Sequence, residues 1–126
     1  MREALKAFKT LSDETRLRIL NLIAERECCV CEVMQALQIS QSKASRGLTA
    51  LYDAGFLKQR KEGLWSLYSM DAEAKSYLLD MAEAGRKAVK DSKAASLDME
   101  RLRRADRIGP RCVGKAYKTG LSSQTS

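Results

Sequence analysis

Apolar positions recur at three- and four-residue spacings along most of this chain, the period of helices that each bury one face. Ala4, Leu5 and Phe8 give residues 2–10 a narrow apolar face. Leu17, Leu20, Ile23 and Ala24 repeat the pattern, with Ser12 as the expected N-cap and Asp13 and Glu14 where the helix dipole favours acid. Arg16, Arg18 and Arg26 lie off that face. Val33, Met34 and Leu37 predict a short third helix, followed by a tight connection at Gln38-Ile39-Ser40. Ala44, Leu48 and Leu51 predict a fourth helix from Ser40 or Gln41 to about Asp53, with Gly55 as its stop. The period then changes: Phe56 to Lys61 and Leu64 to Met70 flank Glu62-Gly63 as a β-hairpin. Asp71 is the expected cap of a long helix from Ala72 to about Ser92. In it Ala74, Leu78, Met81, Gly85 and Ala88 form a seam with small residues that lets two helices approach closely, the expected contact with a second copy, with packing on the chain's own core as the alternative.

Beyond Ser92 the pattern weakens. Leu97 to Ala105 fits a short helix, and from Arg107 onward Gly, Lys, Arg and Ser dominate. The expected organisation is a domain over 1–93 and a basic extension over 94–126, largely flexible by composition, that carries Cys112.

Composition narrows the possibilities. A chain of 126 residues holds one small domain, and one this size gains from dimerising. The formal charge of +7 points to a polyanion, nucleic acid first, because each neutralised phosphate releases counterions. Charges interrupt the N-terminus and no apolar run approaches about 18 residues, so the expectation is a soluble, cytoplasmic protein with no membrane partner. Thiols stay reduced in that compartment, and four cysteines then argue for ligation or redox chemistry. The chain has no histidine, which removes imidazole ligands and the usual base of a Ser-His or Cys-His nucleophile.

Two sets of residues carry candidate chemistry. On the outer face of the fourth helix Ser42, Arg46 and Thr49, with Gln41, Lys43 and Ser45 beside them, are suited to reading a DNA major groove, since Arg pairs bidentately with guanine. Lys58, Arg60 and Lys61 would suit a wing on the phosphate backbone, or an edge hairpin kept from aggregating by its charges. The second set is Cys28-Cys29-Val30-Cys31, between Glu27 and Glu32. Clustered thiols flanked by acid fit ligation better than a role as small buried hydrophobes. Residues two apart on an ideal helix point about 200° apart, so Cys29 and Cys31 can share one atom only where the helix start is extended or unwinds.

With these motifs the chain resembles the ArsR/SmtB family of bacterial metalloregulatory repressors, most closely its arsenic-responsive branch. Leu11 to Leu20 is similar to the family's second-helix signature, Glu27 to Val33 resembles its E-L-C-V-C-D-L metal box with Cys28 in place of leucine, and Ser40 to Leu48 with Gly63, Trp65 and Tyr68 resembles its recognition helix and hairpin. The resemblance implies a winged helix-turn-helix fold, mainly α with a β-hairpin wing, in a homodimer that occupies double-stranded operator DNA. It also implies release of the DNA when arsenite or antimonite binds cysteine thiolates, with Cys29 and Cys31 inheriting the ligand role. Trivalent arsenic is thiophilic, and its lone pair leaves a pyramid that three sulfurs complete. Met34 stands where the arsenic branch often has a further cysteine, so the third sulfur falls to Cys28 or to Cys112. Gly47 stands where the recognition helix often has histidine, which leaves operator preference open. Cadmium or lead is an alternative signal, although related cadmium sensors add N-terminal cysteines that residues 1–26 lack. Reversible disulfide formation is another. A thiol enzyme finds no C-x-x-C, phosphate loop or general base here.

Overall fold

The computed structural model describes residues 1–107. In chain order its elements are α1 (Arg2–Leu11), α2 (Glu14–Glu25), β1 (Cys28–Cys29), α3 (Val30–Leu37), α4 (Gln41–Asp53), β2 (Leu57–Glu62), β3 (Trp65–Met70), α5 (Ser76–Val89) and α6 (Lys93–Arg104). The hub is α2. Ile19, Leu20, Leu22 and Ile23 are all buried, more than the single face expected, because every other helix and β3 pack around it. The rest of the core comes from α3 (Val33, Met34, Leu37), from α4 (Ala44, Leu48, Leu51) and from Phe56 and Leu67. Gly47 is buried on the α2 side of α4, where an added Cβ would lie 2.5 Å from Ile19 Cδ1, so this position is committed to packing.

The hairpin forms as expected, antiparallel from Leu57↔Met70 to Glu62↔Trp65, turning through Gly63 at φ +63°. It acquires a third strand that the sequence did not announce. Cys28 pairs with Tyr68 and Cys29 with Leu67, so β1 lies beside β3 in the sheet order β1-β3-β2. Two residues are too few to show alternation, the signal on which strand prediction depends.

Several boundaries move for local reasons. Asp13, not Ser12, caps α2, its carboxylate accepting the Arg16 amide at 3.0 Å. Asp71 does not cap α5; its side chain closes a turn on the Glu73 amide at 3.0 Å, and the helix begins at Ser76. Part of the small-residue seam of α5 packs on the chain's own core: Leu78 is buried and Gly85 faces Leu17, Leu20 and Leu11 of the N-terminal helices, whereas Ala88 at its C-terminal end stays exposed. The apolar face expected of α1 is turned outward. Ala7 and Thr10 are buried, whereas Leu5 and Phe8 remain 56% and 62% exposed.

The boundary expected at residue 93 also shifts. Ser92 caps α6 by accepting the Ala95 amide at 3.1 Å, and Ala95, Asp98 and Leu102 are buried against α2 and α3. Residues 94–107 therefore belong to the folded unit; Cys112 lies outside the described residues. A carboxylate in the middle of the buried stripe hid the helical period. Asp98 is held by Arg18 through two bonds of 2.8 and 2.7 Å, with its side chain 1% exposed. Among the described residues no helix is long and apolar enough to cross a membrane.

Removing one partner of a buried ion pair strands the other charge. Asp98→Ala is expected to lower the unfolding free energy by about 3 kcal/mol, the low end of the range for such pairs, because Arg18 keeps partial access to water. Urea unfolding of the two proteins measures it.

Candidate functional site

The thiol cluster lies at the junction of β1 and α3. Cys29 is the N-cap of α3, with extended backbone at φ −96° and ψ 173°, and Cys31 sits in its first turn. The extended residue cancels the angular separation an ideal helix would impose. The two sulfurs lie 3.2 Å apart, both residues buried. The helix need not unwind to bring them together. Cys28 lies one residue earlier, on the strand, where successive side chains alternate between faces. Its sulfur lies 3.4 Å from the Arg26 carbonyl oxygen, and burial, followed by the nearby Glu32 carboxylate, pushes its thiol up to about 12. Among the described residues no third Cys, His, Asp or Glu joins Cys29 and Cys31 in a group able to hold an ion.

Glu32 organises the surroundings. It is 4% exposed, and its Oε1 accepts the Cys29 amide at 2.9 Å and Arg107 Nε at 3.1 Å. Its Oε2 accepts from Arg26 at 2.9 Å. This is the reach-back of a capping box, with cysteine at the position that serine or threonine usually takes. The Cys29/Glu32 spacing was the signal available in the sequence for this N-cap. The segment leaving α6 closes the site from the other side. Asp106 exchanges bonds with Gln35 at 2.7 and 3.1 Å, and its carbonyl oxygen lies 3.6 Å from the Cys31 sulfur. Arg101 adds a bond of 3.2 Å to the Ala36 carbonyl. Sequence reasoning missed Gln35, Asp106 and Arg107, whose roles depend on a contact across more than seventy residues.

The residues expected to meet DNA are mostly on the surface. Gln41, Ser42, Lys43, Arg46 and Thr49 are exposed along one side of α4, Ser45 is half-buried, and the Arg46 guanidinium rests on the Ser42 hydroxyl. Ser40 caps the helix by accepting the Lys43 amide at 3.1 Å. Of the wing residues, Lys58 is exposed and Lys61 donates to Ser66 at 2.8 Å. Arg60 differs. Its guanidinium is paired bidentately with Glu27 at 2.8 and 2.9 Å and also meets Glu62, so its donors are turned toward the residue before the thiol cluster. That hydrogen-bonded pairing holds the Glu27 carboxyl below its usual range.

Residues 13–59 match the family described as bacterial regulatory protein, arsR family. The arsenic resistance transcriptional regulator ArsR1 of Pseudomonas putida is 41% identical over 110 residues, which cover 84% of this chain and 83% of that protein. The chain belongs to the ArsR family. Another relative, the arsenical resistance operon repressor of Escherichia coli, is 46% identical over 67 residues, covering 52% of this chain and 57% of that protein. Among solved structures, a homodimeric winged helix-turn-helix DNA-binding domain of Mycobacterium bovis superposes with a TM-score of 0.60 at 24% identity, covering 73% of this chain and 82% of that one. Winged helix-turn-helix is thus the fold of this ArsR-family chain.

If Glu32 holds the entrance of α3 together, Glu32→Ala leaves two arginines and the Cys29 amide without their shared acceptor. The expected cost is about 1–3 kcal/mol, read by urea unfolding, with faster hydrogen exchange at the Cys29 amide.

Proposed function

We propose that this ArsR-family protein is a homodimeric repressor that releases its operator when arsenite or antimonite binds Cys29, Cys31 and a third thiolate from Cys112. The observation that carries the reading is the 3.2 Å separation of the Cys29 and Cys31 sulfurs. Two thiolates about 2.3 Å from a shared soft ion lie roughly 3.8 Å apart at a tetrahedral angle and roughly 3.3 Å apart at a right angle. The pair fits the narrow angle of a pyramidal trivalent ion, and thiolates are the donors such an ion selects. The names of the Pseudomonas and Escherichia relatives support the same inducer class.

For the third sulfur the geometry favours Cys112 over Cys28. Consecutive strand residues point to opposite faces, which turns Cys28 away from its neighbour. The chain after α6 instead passes directly over the site, with Asp106 at Gln35 and Arg107 on Glu32. Cys112 follows Arg107 by five residues, a stretch that reaches up to roughly 17 Å. The third sulfur is thus within reach of the site from the same protomer.

DNA is read by the exposed side of α4, with Arg46 at its centre, while Lys58 and Lys61 of the wing meet phosphate. The dimer reading has two supports. The Mycobacterium neighbour is homodimeric. In this chain Leu5 and Phe8 of α1 and Leu79 of α5 stay exposed, on helices joined by the Glu3–Lys75 ion pair at 2.6 Å. Two protomers would present two α4 helices to half-sites about one helical turn apart.

The ligand site touches both DNA-binding elements. Through β1 it is hydrogen-bonded to β3 of the wing, and through α3 it supports α4. Coupling of about 1–3 kcal/mol between the sites corresponds to a five- to 150-fold change in DNA affinity.

Anisotropy of a labelled operator duplex tests the whole reading. Arsenite is expected to weaken wild-type binding. Cys31→Ser and Cys112→Ser should bind DNA normally but lose the response, and Cys28→Ala should keep it. Arsenite release by Cys31→Ser equal to wild type would sink the ligand assignment; release by cadmium or lead alone would change the inducer. Arg46→Ala is expected to cost about 1–3 kcal/mol of specific binding, and unchanged affinity would remove it as a reader.

A further inference from the structure

Helix α1 has three faces. Ala7 and Thr10 are buried, Leu5 and Phe8 form the exposed apolar stripe, and Arg2, Lys6 and Lys9, spaced by four and three, form a third stripe. All three cations are exposed, and among the described residues none of them has an ion-pair partner, whereas the acid of the same helix, Glu3, is committed to Lys75. The stripe borders an open cleft of about 500 Å³ whose lining includes Arg2, Lys6, Lys9 and Arg16 and reaches Ala50 of α4; among the described residues no carboxylate lines it. Arg16 fastens the two helices, donating to the carbonyls of Thr10 at 2.6 Å and Lys9 at 3.3 Å. It also abuts α4, since a Cβ on Gly47 would lie 3.9 Å from Arg16 Cγ. Ala50 follows Arg46 by one turn of the same helix.

We infer that Arg2, Lys6 and Lys9 form a second phosphate-binding surface, which holds the DNA backbone along the α1 side of the reading helix, in addition to the wing. A duplex seated on Gln41 to Thr49 carries its phosphates past the edges of α4, and one edge opens onto this cleft. Unpaired cations beside a base-reading helix position the duplex without specifying sequence. The apolar stripe on the neighbouring face of α1 remains available to the second protomer. The inference rests on the operator-binding reading above.

The test uses the full chain and a duplex selected from a random pool by the wild-type protein. Affinity is measured across a salt series for wild type, for Lys6→Gln/Lys9→Gln, and for Lys87→Gln/Lys90→Gln, which removes equal charge from exposed positions on and just after α5. Each phosphate contact contributes about 0.9 to the slope of log K against log salt. The α1 pair should lower the slope by roughly 2 and the α5 pair should leave it unchanged. An unaltered slope for the α1 pair, or equal loss from both pairs, overturns the inference. A second arm needs no variant: acetylation of Lys6 and Lys9 in the wild-type protein should slow when the duplex is bound, and an unchanged rate also overturns it. This arm decides if the α1 variant dimerises poorly. Arg46→Ala separates the two readings. Weakened binding there with no α1 effect rejects this surface alone, and absence of any duplex binding by wild type rejects both.

Discussion

A single buried carboxylate holds the entrance of α3 in place. Glu32 gathers the Cys29 amide, Arg26 from the end of α2 and Arg107 from beyond α6. Burying an ionised carboxylate is costly unless it is paired and hydrogen-bonded, and these donors meet that requirement. The geometry it enforces has a chemical result. Cys29 stays extended as an N-cap while Cys31 is already helical, and their sulfurs are brought within 3.2 Å of one another.

The same junction joins the thiols to the two elements that the proposed reading sets on DNA. Cys29 belongs to the strand that pairs with β3, and Cys31 belongs to the helix that packs on α4. The bidentate Arg60–Glu27 pair ties the wing to the residue just before the cluster. Helix geometry requires the start of α3 to be extended or to unwind for the two thiols to meet. The extended backbone at Cys29 is part of the fold, so coupling to DNA on the proposed reading comes from tightening an existing junction.

Much of this was legible in the sequence. The alternation of helical faces, the change of period at Phe56 and the polar side of α4 gave the order of helices and hairpin, because each depends on local spacing, and the family resemblance implied their winged helix-turn-helix arrangement. The failures share a cause. The strand β1 is too short to show a period, α6 carries Asp98 in its buried stripe, and the α5 seam looked the same whether its partner was a second copy or α2. Arg60 was a wing cation by position, but its bond to Glu27 joins residues thirty-three apart. Pairings of this kind depend on tertiary structure, and only the fold reveals them. The reach of Asp106 and Arg107 over the thiols belongs to the same class, and on the proposed reading it favours Cys112 over Cys28 as the third donor.

X-ray absorption at the arsenic edge, on the arsenite-loaded full chain, tests that assignment most directly. The account predicts a shell made wholly of sulfur for wild type and for Cys28→Ala, with Cys112→Ser one sulfur short and a lighter atom in its place. An all-sulfur shell that persists in Cys112→Ser and is lost in Cys28→Ala would contradict it.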